Sequence, residues 1–345
     1  MSESTVRGTR LTRRQLSLRG LIGLVVGALL LVLALTLPVS PSLRLALVIA
    51  TVIALYLGVD RLLWAARRRR TDLLVFLCAV WVVGLGLAAL LAPLLPLGEA
   101  SDVAKTLVDP TYVPPFTDAK YPLGTNGSGL DMLARVIYGA RASMVISLGA
   151  VLTGLVVGGV IGIVAGFYRG GIDSVIGVVT NAVLAVPPLI LLVVLASVLE
   201  PRIRNMTFAL ALLTIPTMVR LARANTIAFS QRGFVLAAHA IGASRIRIML
   251  RELLPNVLPP MLSLAVVVIS VLIVAEASLS FLGLGIPPPE PTWGNMISEA
   301  QAGNTMTEHP FVLLVPGTFL FLTVFAFNLL GERAQKRWDP RGGKL

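Results

Sequence analysis

The sequence has little charge, one cysteine and two histidines, and each scarcity excludes a class of protein. Charged residues make up 13% of the 345 residues, whereas soluble domains average about 25%. Cys78 stands alone, which excludes a disulfide framework and a cysteine metal cluster. His239 and His309 have no metal-binding or catalytic spacing, and the chain has no G-x-x-x-x-G-K-[ST] phosphate loop. We therefore expect no catalytic residue, no metal site and no cofactor in this chain.

Apolar residues are abundant: they make up 56% of the chain, and the mean hydropathy is +0.87. A helix needs roughly 20 apolar residues to cross the hydrocarbon core of a membrane. About eight segments reach or approach that length, and we predict an all-α, polytopic membrane helix bundle. The predicted membrane-spanning segments are 21–38, 43–64, 72–96, 143–167, 172–199, 205–228, 259–285 and 311–330.

The net charge of +12 would suggest a nucleic-acid partner in a soluble protein, but its distribution indicates membrane topology instead. If the N-terminus is inside, the 29 lysines and arginines favour the inside segments about threefold. This asymmetry predicts that both termini and the 229–258 loop face the cytoplasm, and that nucleic acid is no partner.

The longest polar stretch is the predicted outer loop 97–142, which is rich in proline, glycine and asparagine. This composition predicts turns rather than strands. Within it, residues 130–140 have the apolar recurrence of a short helix lying on the membrane surface.

Small residues recur every fourth position in the segment 143–167. In lipid, this spacing lets helix backbones approach closely, so we expect tight packing against a neighbour; a sliding contact used in gating is the alternative. The glycines are Gly154, Gly158, Gly162 and Gly166. Prolines 187, 188 and 216 are predicted to kink their spans.

A few polar groups lie within or near the predicted spans, where they are costly and usually face a cavity or the bundle interior. Glu276 either bonds a neighbouring helix or lines the passage. Arg220 and Arg223 would each cost about 2.5–3.5 kcal/mol at a helix centre, so they either snorkel to the cytoplasmic edge or line an inner vestibule. The candidate translocation-path residues are Asn181, Glu276, Ser280, Arg220 and Arg223.

A basic, amphiphilic segment over 229–258 separates two apolar stretches. Residues 233–241 can form two to three helical turns that end at Gly242, which suits the left-handed position after a helix. Ser244 is placed to cap a second helix that begins at Arg245, and Pro255 is predicted to stop it. Two short helices with a bend between them fit a membrane-surface pair or a contact for a partner protein.

The run Ala237-Ala238, then Gly242, then Leu253-Leu254-Pro255 resembles the EAA loop of ABC importer permeases, which docks in a groove of the cytoplasmic ATPase. Leu236 stands where the glutamate of that motif usually lies. Further segments resemble the C-type permease subunit of oligopeptide, dipeptide and nickel importers over about residues 112–345. These segments are YPLGTNGSGLDMLARVIYGAR, AGFYRGGIDSVIGVV, LRELLPNVLPP, AEASLSFLGLGIPPPEPTWGNM and FAFNLLGERAQKRWDPR. Asn126 and Leu130 depart from the charged residues usual in the first of them.

The resemblance implies a type I ABC importer permease in the cytoplasmic membrane of a prokaryote, and not an enzyme. The implied partners are a second homologous permease in a heterodimer, two cytoplasmic ATPases that hold ATP and magnesium, an extracytoplasmic substrate-binding protein, a di- or oligopeptide, and membrane lipid. A nickel or other metal chelate is the alternative cargo. The residues expected to couple to the ATPase are Phe234, Leu236, Ala237, Ala238, His239, Ile241, Gly242, Ala243, Ser244, Arg245 and Pro255.

Such subunits generally have six membrane helices, so two of the eight here form an extra N-terminal hairpin. Two functions of another class compete with this interpretation. A secondary transporter also needs broken helices, often with inverted repeats, and a non-transporting scaffold could recruit a cytoplasmic protein. The predicted divisions are a basic N-terminus (1–20), the hairpin (21–70), a helix with the outer loop (71–142), the permease core (143–331) and a basic tail (332–345).

Overall fold

The computed structural model of the chain describes residues 21–30, 33, 50, 51, 53–59 and 72–338. The chain divides into two compact units, Met1–Leu77 and Cys78–Leu345.

The first unit contains the apolar helix Leu21–Leu30 (α1) and a second helical segment at residues 50, 51 and 53–59 (α2). A Cβ atom built on Gly23 would lie 2.9 Å from the Cα atom of Gly58, so the two segments approach closely through glycine. The rest of the predicted spans 21–38 and 43–64 lies outside the described residues.

In the described residues from position 72 onward, the regular elements are helices, which confirms the predicted all-α bundle. Within the part of the chain that the structure describes, five helices are long and apolar enough to cross a membrane, and a bent pair of helices would make a sixth span. In chain order the helices are Leu73–Leu91 (α3), Met132–Tyr168 (α4), Gly170–Ala185 (α5), Pro188–Val198 (α6), Ile203–Ser230 (α7), Gly233–Ala240 (α8), Arg245–Phe281 (α9), Trp293–Glu299 (α10), Thr305–Glu308 (α11) and Phe311–Trp338 (α12).

Helix α4 runs without a break for 37 residues. The prediction of a separate surface helix over 130–140 is therefore wrong, since Asp131 caps α4 and residues 132–140 form its first turns. The one glycine there, Gly139, packs closely against Trp293 and does not break the helix. The residues that follow it, Ala140 to Ser143, include no proline and favour helix. A wider π-turn, Gly154–Gly158, lies within α4.

The kink predicted at Pro187 and Pro188 in the span 172–199 is a complete break in the helix. The structure has two helices there, α5 and α6, whose axes are bent by 86°. Val186 and Pro187 adopt extended backbone between them. A proline forces the preceding residue out of the helical region, and two consecutive prolines leave no helical hydrogen bond across the break. By contrast, Pro216 lies inside the continuous helix α7.

The outer segment between α3 and α4 is built from turns, as its composition predicts, with two short 3-10 helices at Ala92–Leu94 and Val103–Thr106. It is tied to α4 by Asp131, whose carboxylate accepts hydrogen bonds from the backbone N–H groups of Leu133 (3.0 Å) and Gly98 (3.2 Å). Burial raises the pKa of the Asp131 carboxyl, while these N–H groups act in the opposite direction. The start of α4 is thereby fixed to the preceding outer segment.

The centre of the bundle is the contact between α4 and α7. A Cβ atom on Gly162 would lie 2.6 Å from the Cβ atom of Ala222, and one on Gly158 would lie 2.7 Å from the Ile215 carbonyl oxygen. Gly154 and Gly166 face Thr214 and Thr226 of α7 in the same way. The stripe of glycines on α4 thus places the two backbones in direct contact.

Candidate docking surface

The segment 229–258 contains the predicted bend. Helix α8 ends where Gly242 adopts a φ of +80°, and the N–H of Ala243 donates to the carbonyl of Ala238 at 3.0 Å. No atom lies within 4 Å of a Cβ built on Gly242, so the requirement for glycine comes from backbone conformation alone. The Ser244 hydroxyl then accepts from the N–H of Arg247 at 3.4 Å and caps α9. Local sequence chemistry predicted this turn correctly.

Pro255 does not stop the second helix, as the sequence predicted it would. Helix α9 continues from Arg245 to Phe281 and passes Pro255 through a π-turn at Met249–Leu253. In that turn the N–H of Leu254 donates to the Met249 carbonyl, one residue farther back than in an α-helix. The shifted hydrogen-bond register admits the proline near the start of the next helical stretch. We call residues 229–258 the docking segment. This segment is therefore continuous with a membrane-spanning helix.

One face of this segment is buried in a small apolar cluster formed by Val235, Ala238, Ile248 and Leu253. The side chains packed around the cluster include Phe167 at the end of α4 and Phe229 at the end of α7. The segment is thus held against the bundle by apolar contacts from both of its helices. Ala238 belongs to this inner face, and Ala243 is half-buried.

The opposite face is exposed, and its large side chains are apolar. Leu236 is 58% exposed, Ile241 is 85% exposed and Ile246 is 64% exposed. Four exposed arginines lie in the same segment, while Glu252 is the one acidic residue within 229–258. We call this face the docking surface, and it consists of Phe234, Leu236, Ile241, Ile246, Leu250, Arg232, Arg245, Arg247 and Arg251. The other predicted coupling residues Ala237, His239, Gly242, Ser244 and Pro255 are also exposed.

The polar residues predicted in the spans form two separate groups. In the first, the guanidinium of Arg223 makes a bidentate ion pair with Asp173 of α5, in which Nη2 lies 2.7 Å from Oδ2. Arg220 donates to the side-chain oxygen of Asn181 at 3.2 Å, in an exposed position. These contacts join α7 to the first half of the bent pair. Asp173 could not be recognised from the sequence because its partner lies 50 residues away along the chain.

In the second group, Glu276 is 1% exposed and lies inside this subunit. Its carboxylate accepts hydrogen bonds from the hydroxyls of Ser143 on α4 (2.7 Å) and Ser280 on α9 (2.8 Å). The contact with Ser143 joins two helices across the core. Glu276 and Ser280 thus lie apart from Arg220 and Asn181, so the five candidate path residues do not form one lining.

Two aromatic residues at the end of α4 also contact the docking segment, and they were not among the residues predicted from the sequence. Phe167 stacks on His239, and the ring of Tyr168 lies near the guanidinium of Arg245. In the sequence, they stand out only as members of the segment AGFYRGG, which resembles a family motif. Nothing in their local spacing indicates which residues they contact.

A bundle of long apolar helices with an exposed, basic loop between two of them is the architecture of a membrane permease. Residues 158–343 match the family of binding-protein-dependent transport system inner membrane components. The chain belongs to this family, which confirms the resemblance to permease subunits of ABC importers.

The named relatives of this chain are also transport permeases. The chain is 34% identical to the dipeptide transport system permease protein DppC of Haemophilus influenzae over 264 residues, which cover 76% of this chain and 88% of that protein. It is 34% identical over 219 residues to the glutathione transport system permease protein GsiD of Pectobacterium atrosepticum, covering 64% and 72% of the two chains. A solved chain of the MetNI methionine ABC transporter shares the fold, with a TM-score of 0.50 and 18% identity over 60% of this chain and 97% of that chain.

Proposed function

We propose that this chain is one of two membrane subunits of an ATP-driven importer that moves di- or oligopeptides into the cytoplasm. Its relatives include permeases named for dipeptide, di/tripeptide and glutathione transport, and all of these cargoes contain peptide bonds. An extracytoplasmic binding protein would deliver the peptide. ATP and magnesium would bind to separate cytoplasmic subunits, and this chain would change conformation in response.

The observation that carries the proposal is the docking surface. Leu236, Ile241 and Ile246 expose apolar side chains at a bend, on a segment that continues directly into α9. Exposed apolar residues rimmed by polar ones mark protein interaction sites. Movement of a bound ATPase would therefore displace a membrane-spanning helix without an intervening flexible loop. We assign the coupling residues of the sequence analysis to this contact, except Ala238, which lies in the buried cluster of the inner face.

The bent pair α5 and α6 supports the proposal that a second permease subunit is present. Its break at Val186 and Pro187 has extended backbone, and the apolar side chains around it are exposed in this chain. Non-helical backbone at membrane depth is stable only when protein covers it or when it lines an aqueous cavity. A homologous subunit facing this break would cover it with protein and would enclose an aqueous passage beside it. Asn181 and Arg220 would be directed toward this shared passage. We assign Glu276 and Ser280 to packing within the subunit.

The coupling assignment is tested by Gly242→Val in the complete transporter. A β-branched residue at φ +80° is strained by roughly 1–2 kcal/mol, so the bend should shift and the ATPase subunits should be lost or lose their stimulation by substrate. Gly303→Val is the matched control, because Gly303 also has positive φ and no atom near its Cβ position but lies outside the docking segment. Wild-type uptake and ATPase stimulation in Gly242→Val would contradict the assignment.

The proposed orientation, with both termini and 229–258 in the cytoplasm, is tested by cysteine labelling in a Cys78→Ala background. An impermeant reagent added outside intact cells should label Ala119→Cys in the outer segment and leave Ser244→Cys unlabelled.

Cargo is tested separately by uptake of labelled dipeptides, longer peptides and nickel chelates. Uptake of nickel chelates without uptake of any peptide would favour the alternative cargo, and gradient-driven uptake without ATP would favour a secondary transporter.

A further inference from the structure

The end of α4 carries two adjacent aromatic residues, and each contacts a different half of the docking segment. The ring of Phe167 is stacked on His239 of α8, with 6.2 Å between centroids and 5° between planes. The ring of Tyr168 lies 5.8 Å from the guanidinium carbon of Arg245, the first residue of α9. The two rings meet edge to face at 5.5 Å. Two consecutive residues thus hold both helices that flank the bend at Gly242.

The segment that carries these rings is itself firmly placed. Phe167 packs against the buried cluster of the docking segment, and Gly166 brings the α4 backbone against Thr226 of α7. Immediately after the rings, Arg169 ends the helix with a φ of +54° and donates to the hydroxyl of Ser230 at 3.1 Å. Because of these contacts, the docking segment cannot be displaced unless the end of α4 moves with it.

The other end of the same helix is bound to the outer segments. Arg135 forms an ion pair with Glu299 at 2.6 Å and donates to the Ala100 carbonyl at 3.3 Å. The indole N–H of Trp293 donates to the Val136 carbonyl at 3.1 Å. Since α4 has 37 residues, it is about 55 Å long at 1.5 Å per residue. One helix thus joins the aromatic contacts with α8 and α9 to the outer face of the subunit.

We propose that Phe167 and Tyr168 are positioning residues that transmit movement of the docking segment to α4, and through α4 to the outer segments. This inference rests on the proposed coupling function. Parallel ring stacking and the attraction of a cation to a ring face both depend on orientation, so the contacts resist rotation as well as separation. Leucine would retain apolar contact and lose both directional interactions.

The experiment uses the complete transporter in lipid vesicles with its binding protein, and compares Phe167→Leu, Tyr168→Leu and Tyr168→Phe with wild type. ATPase subunits should co-purify at the wild-type ratio in all three. Peptide uptake per ATP hydrolysed should fall about three- to tenfold in each leucine variant. Tyr168→Phe should stay near wild type because it keeps the ring. Phe321→Leu, an exposed aromatic of α12, is the matched control and should have no effect.

A double-mutant cycle tests the stack itself. If Phe167 acts through His239, the effects of Phe167→Leu and His239→Leu on uptake per ATP should be clearly less than additive. Additive effects, or unchanged uptake per ATP in both leucine variants, would overturn the inference. Loss of ATPase subunits from those variants would also overturn it, because the rings would then be docking contacts. Failure of the proposed function is distinct, since Gly242→Val would then retain coupled transport.

Discussion

Gly162 provides the sharpest test of how the bundle is packed. In Gly162→Ala, the new methyl group would lie 2.6 Å from both the Ala222 Cβ atom and the Val219 carbonyl oxygen, whereas ordinary contacts lie at 3.4–4 Å. Neither neighbour is the end of a flexible side chain, so α4 and α7 must separate by roughly 1 Å at close-packed density. Overpacking of this kind costs about 1–3 kcal/mol. The loss should exceed the gain of roughly 0.5–1 kcal/mol that alanine brings to a helix.

The matched control is Gly84→Ala on α3, where no atom lies within 4 Å of the new methyl group. Thermal unfolding of both variants in lipid nanodiscs compares the same chemical change in two settings. Gly162→Ala should lower the midpoint by several degrees, at about 2–4 °C per kcal/mol, and Gly84→Ala should leave it equal or slightly higher. Equal midpoints for the two variants would refute the close contact of α4 with α7.

Three further predictions concern polar groups. Glu276→Leu leaves two buried serine hydroxyls without their acceptor and should lower the free energy of unfolding by about 1–3 kcal/mol. In the same unfolding assay, Glu276→Gln should be close to wild type. Equal losses of stability in the two variants would argue against the buried hydrogen bonds. Asp173→Asn and Arg223→Gln together should be less damaging than the sum of the single changes by about 0.5–3 kcal/mol, and additivity would show that the ion pair contributes nothing. Hydrogen bonds from Asp102 and Ser101, with Lys105 nearby, lower the pKa of Glu99. The stability that this carboxylate gives to the outer turn is therefore complete above its ordinary pKa of 4.5 and is lost as pH falls through the lowered value. Amide exchange at residues 101 and 102, corrected for intrinsic rates, should show this loss on acidification, and the same dependence in Glu99→Gln would contradict it.

Features with a local cause could be predicted from the sequence. The apolar spans follow from length and composition, and the bend at Gly242 and the cap at Ser244 follow from backbone chemistry within a few residues. The break between α5 and α6 was predicted only as a kink. Consecutive prolines show where a helix is interrupted, but the angle of 86° depends on the packing of the elements on either side.

Features that depend on distant residues could not be predicted. Pro255 has the local signal of a helix end, yet a π-turn before it keeps α9 continuous. Residues 130–140 have the pattern of a surface helix, but in the structure they pack inside the subunit against the distant residues Trp293 and Glu299. Candidate site residues were identified where a motif or an unusual charge marked them. Phe167, Tyr168 and Asp173 were missed because their roles depend on partners far along the chain.

The two π-turns have a consequence for how this chain tolerates changes in length. Each turn, at Gly154–Gly158 in α4 and at Met249–Leu253 in α9, accommodates one residue more than an α-helical turn. Removing a single residue inside the Gly154–Gly158 turn would leave a regular α-helix and preserve the direction of the side chains on both sides. In α9 the same deletion would place Pro255 in α-helical register, which the π-turn avoids. The same deletion elsewhere in these helices would rotate every following residue by about 100°, one residue's share of a 3.6-residue turn. The Gly154–Gly158 turn is therefore where this chain can lose one residue while the side chains of α4 beyond it stay in register.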